Sequence, residues 1–147
     1  MKIKKFSKIK QYLIWLKAMQ IRKSVDIIDP FRIAEQNNID VSFIDMISPP
    51  AFNNYNPQTN SYSIYISNKV DRFSAKILCA HELGHIFCDS PKEVTLFDHK
   101  IDPVSEFIAN TFASYIVPFD SRFKVTRNTT IEDYNEFVSS LILIKKT

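Results

Sequence analysis

His81, Glu82 and His85 form a His-Glu-x-x-His pattern within Cys79–Phe87. On an α-helix, residues four apart sit one above the other, so His81 and His85 can point two imidazoles at one ion. Glu82 follows about 100° round the helix, within reach of a water on that ion. The chemistry this suggests is hydrolysis, with Glu82 as general base. Apart from these three, every residue from Ile77 to Cys88 is apolar, small or glycine, so the segment should be buried. Burying two imidazoles and a carboxylate without partners costs on the order of several kcal/mol, and a bound metal offsets that cost.

A catalytic zinc site usually has three protein ligands and an open position. A metzincin would place a third histidine six residues after His85, but that residue is Pro91. The remaining candidates are His99, Glu93, Asp98, Asp102 and Glu106. Glu106 is the preferred one. It shares a helical face with Asn110 and Ala113, and the small Ala109 and Ala113 would let this helix approach the small Gly84 closely. Glu106 is also a first-turn acid of the kind a helix dipole favours without any metal. His99 is the alternative and would give a three-histidine site. Asn110, one turn after Glu106, could orient a ligating imidazole. Donors for an oxyanion could come from Tyr62, His99 or Tyr115, with Tyr55 and Arg72 also conceivable.

The elements that must position these residues can be read in order. Residues 1–24 suggest a basic helix whose Phe6, Ile9, Leu13, Leu16 and Met19 recur at helical spacing and would pack on the domain. Asp29-Pro30 is a helix start, with the helix running to about Asn37. Residues 39–44 and 62–66 alternate and predict two strands, and 45–60, rich in Pro and Asn, predicts a loop. Asn68 or Asp71 would cap the motif helix, which ends near Cys88. Asp102-Pro103 starts the next helix, closed by Pro118. Thr129 or Thr130 caps a last helix, and the apolar Leu141–Ile144 after it should dock against something. The outline is α+β: a short sheet covered by helices, with the motif on a buried helix.

The chain of 147 residues fits a single domain over 1–147, and its 45% hydrophobic and 24% charged content is ordinary for a globular protein. Its one glycine is Gly84, so turns elsewhere must rely on Asn, Asp, Ser and Pro. No apolar run reaches the length of a membrane span, and no signal-peptide pattern precedes residue 25. Cys79 and Cys88 would point to opposite sides of one helix and cannot pair, which suits a cytoplasmic protein. Residues 1–25 hold eight Lys/Arg and no acid, while the rest carries eleven basic and sixteen acidic side chains. The asymmetry hints at an acidic partner for the N-terminus. Direct nucleic-acid binding is not expected, because no reader motif is apparent.

Ala80-His81-Glu82-Leu83-Gly84-His85 together with Glu106-x-x-Ala109-Asn110-x-Phe112-Ala113 and Pro118 resembles the ImmA/IrrE family of bacterial and phage metallopeptidases. Asp29-Pro30-x-x-Ile33-Ala34 leading into Ile39-x-Val41 extends the likeness, so it covers roughly residues 26–118. It sets that core between a basic N-terminal helix, 1–25, and a C-terminal helical segment, 119–147. The resemblance implies a gluzincin-like zinc domain with one zinc ion, His81, His85 and Glu106 as its ligands, and Glu82 as the catalytic carboxylate. It also implies a role: cleaving, or otherwise inactivating, a helix-turn-helix repressor that silences a phage or mobile element. An antirepressor that holds zinc and acts by binding alone is the alternative. Where many members carry Arg-Phe-Thr before the motif, this chain has Lys76-Ile77-Leu78.

Overall fold

The computed structural model describes residues 8–88, 102–120, 122–123, 126 and 128–145. Its elements run α1 (Lys8–Ser24), α2 (Pro30–Gln36), β1 (Asp40–Ile44), β2 (Ala51–Asn56), β3 (Ser61–Ser67), α3 (Arg72–Cys88), α4 (Pro103–Ile116) and α5 (Ile131–Ser140). This is the expected α+β arrangement, with one strand more than the sequence suggested.

That extra strand is β2, which lies within the stretch 45–60 expected to be loop. Asn-rich segments are poor strand formers in isolation, and tertiary pairing overrides the tendency here. Phe52 stacks on Tyr65 at 4.9 Å between ring centroids, and Tyr55 meets Tyr62 at 4.8 Å. Such cross-strand aromatic pairs hold β2 antiparallel to β3. β1 pairs parallel with the other side of β3, giving the order β1-β3-β2. The strand at 62–66 is therefore central rather than an edge, and β2 is the edge next to it. Asn60 closes the β2–β3 turn with φ of 51°, and Asn38 ends α2 with φ of 56°. Asparagine thus takes the left-handed positions, as the lack of glycine required.

Helix starts follow their signals. Asp29 accepts from the Phe31 NH at 2.9 Å ahead of α2, and Asp102 accepts from the Val104 NH at 3.0 Å ahead of α4. Of the two caps offered for α3, Asp71 is the one used, accepting from the Ser74 NH at 2.7 Å. Thr130 and Asp133 form a capping box at the start of α5. After α5 the chain returns to the start of α3, where Ile144 bridges to Val70 and the Leu143 NH donates to Ser74 Oγ at 2.8 Å. Leu141–Ile144 thus docks in part: its backbone is held and Leu141 and Ile142 are half-buried, while Leu143 is 62% exposed.

α3 runs through the middle of the core. Ile77, Cys79, Ala80 and Leu83 are fully buried, with Ile64 and Ile66 of β3 and Phe112 and Ala113 of α4. α1 packs differently from its expected stripe. Ile14, Ala18 and Ile21 are buried, whereas Ile9 is 72% and Leu13 56% exposed. Ile14-Ala18-Ile21 has the same helical spacing, and its small central residue lets α1 lie against α4. There Arg22 donates to the Tyr115 carbonyl at 3.1 Å. Phe6 falls outside the described residues.

Candidate metal centre

α3 and α4 cross at Gly84. A Cβ on that residue would meet the Ala109 Cα and carbonyl oxygen at 2.8 Å and the Phe112 Cβ at 3.1 Å. No side chain fits between the two backbones. That close approach brings the first turn of α4 over the last turns of α3, and with it Glu106 over the two histidines.

There the donor atoms converge. His81 Nε2 and His85 Nε2 are 3.1 Å apart. Glu106 Oε2 is 3.0 Å from His81 Nε2, and Glu106 Oε1 is 3.2 Å from His85 Nε2. Among the described residues these three form the cluster able to hold a metal ion. Neutral imidazole nitrogens and a carboxylate all present lone pairs, so at such separations they repel unless a cation or a proton lies among them. Ligands at about 2.1 Å round a tetrahedral zinc lie about 3.4 Å from one another, close to the triangle seen here. The donor set therefore fits a divalent metal that takes nitrogen and oxygen. Burial pushes the Glu106 carboxyl up, but the two histidines beside it outweigh burial and hold the group well below the usual carboxylate range.

Each histidine has support behind it. His81 Nδ1 lies 2.6 Å from Asn110 Oδ1, the contact anticipated for Asn110, and Ser105 Oγ lies 3.4 Å from His85 Nδ1. Glu82, about 100° round α3 from His81 and closer still to the line of His85, meets the sheet beside the cluster. It is only 6% exposed, and Asn53 Nδ2 of β2 donates to its Oε2 at 2.6 Å. A buried carboxylate so held keeps one orientation and still has Oε1 to offer.

The other candidates scatter. Tyr62 and Tyr55 face each other one step along the sheet from Asn53, on the face that meets α3. Burial raises the Tyr62 phenol pKa, so it stays a donor. Tyr115 lies nine residues after Glu106, about half a turn round α4 from it, and faces away from the cluster. Arg72 opens α3, about 14 Å along the axis from His81. Asp102 is committed to its cap. Cys88 is not part of the cluster, and no disulfide joins it to Cys79. Glu93, Asp98 and His99 lie outside the described residues. Two residues went unnoticed in the sequence: Asn53, hidden in an apparent loop, and Asn135 of α5, which accepts from Asn110 Nδ2 at 2.9 Å. The aromatic residues flanking Asn53, Phe52 and Tyr55, are its only strand-favouring neighbours, and Asn135 carries no such signal.

A helix carrying His-Glu-x-x-His, joined at its two histidines by a carboxylate from the next helix, defines the metallopeptidase class. The chain belongs to peptidase family M78, whose IrrE N-terminal-like domain profile matches residues 34–139. The match runs through most of α5, well past the 26–118 read from the sequence. No curated protein matches the chain. Among the described residues no helix is long and apolar enough to cross a membrane.

Proposed function

We propose that the chain is a single-domain, zinc-dependent endopeptidase of the cytoplasm. Its proposed substrate is a helix-turn-helix repressor whose loss derepresses a phage or mobile element. The observation that carries the peptidase reading is Glu82: a buried carboxylate next to the metal-site histidine His81, fixed by Asn53 at 2.6 Å. A protein that only sequestered its partner would have no need of it. The choice of repressor rests on the resemblance to ImmA/IrrE proteins.

His81, His85 and Glu106 would hold one zinc ion. When bound, it supplies Lewis acidity to the scissile carbonyl and the attacking water. Glu82 takes the proton from that water at Oε1, because Oε2 is occupied by Asn53, and delivers it to the leaving amine. Asn110 holds the His81 ring in place. Tyr62, on the Asn53 face of the sheet, is the described candidate that could donate to the developing oxyanion, and His99, outside the described residues, is the other proposed donor. An extended substrate would add to the edge strand β2, next to Glu82, rather than to the central strand β3.

The test is co-expression with a candidate helix-turn-helix repressor, for the wild-type chain and for Glu82→Gln. Repressor fragments with the wild type and intact repressor with Glu82→Gln are expected. Derepression that persists in Glu82→Gln without fragments would overturn proteolysis in favour of inactivation by binding.

A further inference from the structure

A chain of hydrogen bonds leads from the C-terminal helix to the metal-site histidine. Asn135 Nδ2 donates to the Pro103 carbonyl at 3.0 Å. Asn110 Nδ2 donates to Asn135 Oδ1 at 2.9 Å. Asn110 Oδ1 meets His81 Nδ1 at 2.6 Å.

Each link dictates the next. A carbonyl only accepts, so the Asn135 group facing Pro103 must be its NH2, and Oδ1 must face Asn110. An amide oxygen only accepts, so Asn110 turns its own NH2 to Asn135 and its oxygen to His81. The His81 Nδ1 must then carry the proton, which leaves the lone pair of the neutral ring on Nε2. Nε2 is the atom facing Glu106 Oε2 at 3.0 Å and His85 Nε2 at 3.1 Å.

Without Asn135 nothing in this chain of bonds would tell the two ends of the Asn110 amide apart. Asn110 could rotate by half a turn and offer NH2 to Nδ1, favouring the tautomer with its proton on Nε2, where a ligand needs a lone pair. The anchor is firm at its far end. Pro103 is the first residue of α4, and Asn135 sits one turn into a helix whose start is locked by the Thr130–Asp133 capping box.

We propose that Asn135 is a positioning residue of the metal centre: it fixes the Asn110 amide and thereby selects the His81 tautomer that presents Nε2. The proposal rests on His81 being a metal ligand, and the experiment separates the two. Zn2+ affinity of the full chain is measured by competition with a chromophoric chelator. His81→Ala tests the ligand, and its binding zinc as tightly as wild type would remove the metal-site reading and this proposal with it.

Given that loss, Asn135→Leu should weaken Zn2+ binding about tenfold. Asn135→Asp still accepts from the Asn110 NH2 but sets its other oxygen against the Pro103 carbonyl, so it should recover only part of that loss and bind Zn2+ more tightly than Asn135→Leu. The Asn110→Ala, Asn135→Leu double variant should bind no more weakly than Asn110→Ala alone. Unchanged affinity in Asn135→Leu would overturn the proposal while leaving the metal site standing. So would equal losses in Asn135→Leu and Asn135→Asp, or a loss from Asn135→Leu that persists undiminished in the Asn110→Ala background, either of which marks a merely structural role. Should Asn135→Leu fold poorly, Asn135→Ser and the Asn135→Asp comparison carry the same test.

Discussion

Gly84 and Ala109 touch backbone to backbone: a Cβ at position 84 would lie 2.8 Å from the Ala109 Cα. Alanine is ordinarily the better helix residue by about 1 kcal/mol. Here the obstruction is main chain, which cannot rotate away, so α3 and α4 must separate. Gly84→Ala is expected to destabilise the fold by about 1–3 kcal/mol. A denaturant titration checks this, and a variant as stable as wild type would mean the helices are less tightly joined.

Cys79 is fully buried, and burial, with Asp29 and Glu82 adding to it, pushes its thiol pKa far up. A thiolate is the reactive form, so this cysteine should be inert in the folded chain. In a Cys88→Ser variant, a thiol reagent at pH 8 should titrate no cysteine under native conditions and one after denaturation. Rapid native labelling would show that the α3 core opens readily.

Asp71 caps the helix that carries the site. The Ser74 backbone NH holds its carboxyl below the usual 3.8. A depressed folded-state pKa stabilises above the unfolded value and loses that effect as pH falls through the folded one. The stability gap between wild type and Asp71→Ala should therefore be full at pH 7 and shrink below about pH 4. Urea unfolding at pH 7 and pH 3 reads the difference, and a gap that widened in acid would contradict the cap.

The motif helix, the helix bearing Glu106 and their close crossing were all legible, because each left a local mark. Histidines four apart, Asp-Pro before a helix and small residues on facing sides are patterns of near neighbours. What escaped depends on partners distant in sequence. β2 exists because Phe52 and Tyr55 find Tyr65 and Tyr62, which outweighs the poor strand propensity of Asn53, Asn54 and Asn56. With β2 unseen, Asn53 could not be placed against Glu82. α1 carries two apolar arcs, and spacing alone could not say that Ile14, Ala18 and Ile21 face inward while Ile9 and Leu13 do not. Asn135 is a polar residue on an amphipathic helix, and only the fold sets it beside Asn110.

His81, His85 and Glu106 converge as one candidate metal site, and metal content tests that most directly. The wild-type chain, Glu82→Gln and Glu106→Ala are purified with zinc present, dialysed, and assayed for zinc per chain by elemental analysis. About one zinc per chain is expected in the wild type and in Glu82→Gln, whose ligands are intact, and much less in Glu106→Ala. Equal zinc in Glu106→Ala and wild type would contradict the account, because the carboxylate that α4 brings to the two histidines would then not be holding the metal.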